Sequence, residues 1–114
     1  MAESTLELHL YFKVPSICNE AYSLVKRKKA DRNSDFHGVE SLRKGENDIF
    51  LTAIVSPVLS DVESIIEESG ADAIAASINH DHGGKESYGY IMKAKTTHSK
   101  ALSWIDNQDS ARKV

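Results

Sequence analysis

A chain of 114 residues, 40% hydrophobic and 27% charged, has the length and balance of one ordinary globular domain, not of a disordered tract. Its formal net charge of −3 excludes a global attraction to nucleic acid or to an anionic membrane. Cys18 is the only cysteine, so no internal disulfide can form, and a reducing, cytoplasmic setting is expected.

Residues Met1 to Thr5 lack the basic and then apolar run of a signal peptide. From there Leu6, Leu8, Leu10 and Phe12 alternate with Glu7, His9, Tyr11 and Lys13, the period-two pattern of a strand with one buried face. Pro15 ends that strand because it removes a ladder donor. Ser16 is placed to cap a helix whose apolar positions are Ile17, Ala21, Leu24 and Val25. Its last turn carries Lys26, Arg27, Lys28 and Lys29, where the helix dipole favours cations.

The stretch from Asn33 to Glu46 is ambiguous, since Val39 and Leu42 suit a short strand or a helical turn. The turn formers Lys44-Gly45-Glu46-Asn47-Asp48 favour a hairpin beginning near Phe36. Ile49 to Val55 has apolar residues on both faces, as a central strand does, and is far too short to span a bilayer. Ser56-Pro57 then opens a helix with Val58, Leu59, Val62, Ile65 and Ile66 along one stripe, opposite Asp61, Glu63, Glu67 and Glu68. Gly70 is positioned to stop it in a left-handed turn.

Ala71 to Ile78 reads as a returning strand, Asn79 to Lys85 as a loop, and Tyr88 to Lys95 as a last strand. Thr97 can cap a C-terminal helix carrying Ala101, Leu102, Trp104 and Ile105, with a frayed tail from about 107. The order β-α-(β)-β-α-β-β-α predicts a single α+β domain over 1–114. The class is a ferredoxin-like βαββαβ sandwich, both crossover helices on one face, with an additional C-terminal strand and short helix. Without the uncertain strand, the alternative is a three-layer open α/β sheet.

Three segments bear on chemistry. His80 and His82, two apart in a polar loop, can offer a transition metal two ligands, with a third from His9, His37, Asp81 or Glu86; the simpler reading is a hairpin loop whose glycines permit positive φ. Gly83-Gly84-Lys85 lacks phosphate-loop spacing and precedes a strand. The basic run Lys26, Arg27, Lys28, Lys29 and Arg32, with Tyr11, Tyr88 or Tyr90, would suit single-stranded nucleic acid. Against this, parallel crossover helices would bring the same cations beside Glu67 and Glu68. Cys18, in the first helical turn without a cationic neighbour, reads as an inert thiol.

No catalytic constellation emerges, so an enzyme is not the favoured reading. The expected function is a small non-catalytic protein-binding or regulatory domain of inhibitor, immunity or adaptor type. Its partner would be another protein or a second copy, with nucleic acid and metal binding as alternatives and no membrane role. The residues offered to that partner are His9, Tyr11, Asp61, Glu63, Glu67, Glu68, Tyr88, Tyr90 and Trp104. The far face of the Ile49–Val55 strand, presenting either Phe50 and Ile54 or Ile49, Leu51 and Val55, needs a cover. The Trp104 segment or another molecule would supply it.

Overall fold

The computed structural model describes residues 4–31, 39–55, 64, 67–80 and 83–112. The strands are β1 (Ser4–Tyr11), β2 (Val39–Lys44), β3 (Asp48–Val55), β4 (Ala73–His80), β5 (Lys85–Ile91) and β6 (Ala94–Thr96). The helices are α1 (Pro15–Ala30) and the C-terminal α2 (His98–Arg112), and a further helical segment ends at Ser69. All six strands form one sheet in the order β2-β3-β1-β4-β5-β6, and every neighbouring pair is antiparallel. The result is a mixed α+β fold. Among the described residues no helix is long and apolar enough to cross a membrane.

The alternation in β1 does what its pattern predicts on one side. Leu6, Leu8 and Leu10 are fully buried, and they join Ile49 and Leu51 of β3 and Ile74, Ala76 and Ile78 of β4 in the main core. Against these lie Cys18, Ala21 and Val25 of α1. The buried stripe of α1 is therefore rotated from the expected one. Ile17 is 36% exposed, and the small, polarisable Cys18 takes the inward position. The cap differs too: Pro15 is itself the first helical residue, Val14 is the N-cap, and no side chain closes the end.

The uncertain strand exists as β2, paired with β3 through a hairpin, and Asn47 fastens that hairpin to the end of β1. Its buried Nδ2 donates to the Phe12 carbonyl at 2.8 Å, while its own carbonyl accepts from the Phe12 amide at 2.7 Å. Gly70, at φ +72, turns the chain out of the helical segment as expected, and Ile17 packs against it.

Two expectations about the sheet are corrected. The strand buried on both faces is β4, not Ile49–Val55. Residues 73 to 78 are all buried, whereas β3 alternates, with Ile54 39% exposed. The reason lies in side-chain size: Ala73 and Ala75 let a helix lie close on the second face.

The last strand is likewise two strands, β5 and β6, joined by Met92-Lys93 with both residues at positive φ (49 and 68). Met-Lys is not a dipeptide from which such a turn is read.

Beyond it Thr97 caps the final helix as predicted, its Oγ1 accepting from the Lys100 amide at 3.2 Å. That helix runs on to Arg112, through the stretch expected to fray. It is not short, and it lies on the opposite face of the sheet from α1. There Ala101 and Ile105 pack with Tyr11, Ala73 and Ala75, flanked by Ile91 and Trp104.

Candidate functional site

The two sheet faces are unequally covered. On the α1 side, buried residues extend from Val39 of β2 to Ile78 of β4, with Tyr88 of β5 packed against them. On the α2 side, among the described residues, the buried apolar cluster comprises only Tyr11, Ala73, Ala75 and the helix's own Ala101 and Ile105. Cross-strand partners share a face, so register identifies what α2 leaves uncovered. Thr5 stands beside Ile54, Glu7 beside Thr52, His9 beside Phe50, and Arg43 beside Phe50 from the other side. The first of the two alternative sets on β3, Phe50 and Ile54, is thus the one facing away from the core.

This floor is organised around Phe50. The His9 ring meets it edge-on at 5.8 Å, and the Arg43 guanidinium lies over it at 5.4 Å. His9 Nε2 is 3.3 Å from an Asp48 carboxylate oxygen, which fixes the imidazole diagonally across the β1–β3 pair. His9, Arg43, Lys44, Gly45, Asp48 and Phe50 line a shallow cavity of about 340 Å3. On the other rim Trp104 packs edge-on against Tyr11 at 5.4 Å, with the Lys13 ammonium 5.7 Å from the indole centre.

The residues expected to bind a partner therefore do not form one surface. His9, Tyr11 and Trp104 lie on the α2 side, although Tyr11 is only 4% exposed and serves as packing. Tyr88 and Tyr90 pair with Ala76 and Ile74, which places both on the α1 side. Glu67 and Glu68 are exposed at the end of the helical segment, and Asp61 and Glu63 lie outside the described residues. Ile54 belongs to one of the two sets read from its strand, whereas Arg43 and Asp48 join the uncovered face without standing out in sequence. Finding them needs the β2–β3 register, which the ambiguous stretch before Glu46 conceals.

One cation of the basic run, Lys28, stands beside Glu68 as the electrostatic argument anticipates. Lys28 Nζ is 3.3 Å from a Glu68 carboxylate oxygen, and Lys26 lies 5.4 Å from the centre of the Tyr22 ring. Lys29 is exposed, Arg27 lines a cleft with Glu20 and Glu68, and Arg32 lies outside the described residues. A stacking platform of Tyr11 with Tyr88 or Tyr90 is not formed, because the sheet separates them.

At the other loop, His80 Nδ1 lies 2.9 Å from Ser4 Oγ, and its Nε2 is 3.8 Å from a Glu86 oxygen. His82, Asp81 and His37 lie outside the described residues. His9 cannot complete a set with His80, since His80 pairs with Ser4 and His9 is five residues along β1, roughly 17 Å away. Among the described residues no group of three potential ligands converges. Gly83, at φ +89, has the turn role expected of it, donating to the His80 carbonyl at 3.2 Å. Cys18 is fully buried, and desolvation pushes its thiol pKa up, outweighing the opposing charge of Lys44.

No protein-family profile and no curated protein matches this chain. Among solved structures it is similar to a phage SAM lyase in its apo state, at 7% identity and a TM-score of 0.43. That match spans 79% of this chain and 90% of the other. A resemblance of that degree lends this chain no activity.

Proposed function

We propose that this chain is a non-catalytic protein-binding domain that uses the part of the sheet left open beside α2. The observation that carries the reading is the Phe50–Ile54 strip. Ile54 is 39% exposed and Phe50 half-buried on a face where, among the described residues, the helix layer stops short of the sheet edge. Aromatic and aliphatic side chains bordered by Arg43, His9 and Glu7 have the make-up of an interface centre with a polar rim. The order β2-β3-β1-β4 supports a ferredoxin-like βαββαβ unit as the scaffold, with β5, β6 and α2 added at one edge.

The test is affinity capture in native cells with the wild type and with a Phe50→Asp/Ile54→Asp variant, together with sedimentation of the purified chain. A protein or second copy bound by the wild type and lost from the variant supports the reading. A strict monomer whose captured proteins match those of the variant refutes it.

A further inference from the structure

We infer that the open half of this face receives an acidic amphipathic helix of a partner protein, lying alongside α2; the inference rests on the protein-binding reading above. The sheet order sets the spacing. α2 sits over β4 and β5, while β3 and β1 are the next pair, two strand spacings away, or about 10 Å. Helices pack side by side at roughly 8–10 Å between axes. One further helix therefore fits between α2 and the β2 edge.

Backbone chemistry selects a helix over an extended segment. β1 is hydrogen-bonded to β3 and β4, and β3 to β1 and β2, so this floor has no ladder groups to offer. A strand laid on it would leave its own backbone unpaired, whereas a helix satisfies its own. α2 already occupies the same face in this way, its Ala101 set down on Gly89.

Charge selects the sequence of that helix. Arg43 lies over Phe50 on one rim and the Lys13 ammonium over Trp104 on the other. Neither forms an ion pair with a carboxylate among the described residues, while Asp48 is already engaged with His9. Arg43, with its guanidinium 5.4 Å from the Phe50 ring centre, keeps its N–H groups available to take a carboxylate. Glu7 is exposed on the same floor, two residues along β1 from His9. The acidic positions of the partner must therefore fall at the Arg43–Lys13 end, with its apolar stripe over Phe50 and Ile54.

The experiment is an NMR titration of the full chain at low salt with two synthetic helical peptides. They share one leucine stripe and carry flanking glutamates in one and lysines in the other. The acidic peptide is expected to bind about tenfold tighter than the basic one and to shift the amides of His9, Phe50, Thr52 and Ile54. Arg43→Glu, a change on an exposed strand position, should invert that preference, and Ile54→Asp should weaken both peptides.

Equal affinities, or shifts confined to the α1 side, overturn the inference. A concentration-dependent dimer dissociated by Ile54→Asp also overturns it, by naming a second copy as the occupant, yet leaves the protein-binding reading in place. Failure of that broader reading registers separately, in the native capture and sedimentation.

Discussion

Tyr11 and Trp104 meet edge to face, their ring centres 5.4 Å apart and their planes at 77°. This pair joins the last residue of β1 to the middle of α2 and closes the end of the second core. Such aromatic pairs contribute about 0.5–1.5 kcal/mol beyond the area they bury. A double-mutant cycle with Tyr11→Leu and Trp104→Leu, followed by urea unfolding, is expected to give a coupling of about 1 kcal/mol. Because the indole is half-buried, its emission should be blue-shifted in the native chain and move to the red on unfolding. A fully solvated native spectrum would mean that α2 does not dock here.

Gly89 sets how closely α2 can approach. A Cβ at this position would stand 2.5 Å from the Ala101 Cβ, 2.9 Å from the Thr97 carbonyl oxygen and 3.2 Å from that of Ile74. Two of those three neighbours are backbone atoms and cannot swing aside. Gly89→Ala should therefore destabilise the chain by about 1–3 kcal/mol, although alanine is the better residue in an open strand. Adding Ala101→Gly relieves the nearest clash but not the carbonyl contacts, so the double variant should recover only part of the loss. Urea midpoints for the wild type and the two variants check this, and a neutral Gly89→Ala would remove the close-approach explanation.

The turn between β5 and β6 has the reverse character, a conformation that its residues do not favour. Met92 and Lys93 both hold positive φ, the requirement of a two-residue hairpin turn that Asn-Gly meets at least cost. Met92 is 54% exposed, so replacing it gives up little burial. Its amide donates to the Asp72 carbonyl, a bond that asparagine keeps. Met92→Asn/Lys93→Gly should stabilise the chain by about 1 kcal/mol, read as a higher midpoint in thermal unfolding. An unchanged or lower midpoint would show that the native turn carries no strain.

What was legible in the sequence follows from where the information is local. The Leu6–Leu10 alternation, the Gly70 stop and the Thr97 cap each depend on a few adjacent residues, and each is present. The position of α2 is not local, because it depends on Ala73, Ala75 and Gly89 being small on the same face of two paired strands. Single-strand periodicity cannot convey that, and an alanine-rich strand reads as weak until the helix above it is known. The candidate site was half visible for the same reason. His9 stands out on its own strand, but Arg43 and Asp48 join it only through the β2–β3–β1 register.

The last prediction concerns pH. Cys18 is fully buried against the Asp48 backbone, and desolvation holds its thiol pKa above the ordinary range, with Lys44 opposing and Asp48 adding a smaller push upward. The folded chain therefore keeps the proton more tightly than the unfolded chain does. By linkage, this contribution is fully present while the unfolded thiol is protonated, at pH values below about 8.5, and is lost as pH rises beyond that. Unfolding free energy measured across that range should decline more steeply for the wild type than for Cys18→Ala, which lacks the titrating group. The native thiol should also resist a thiol-specific reagent at neutral pH and react once the chain is unfolded. Identical pH profiles for the two proteins, together with rapid native labelling, would place Cys18 at the surface and displace α1 from the core as described.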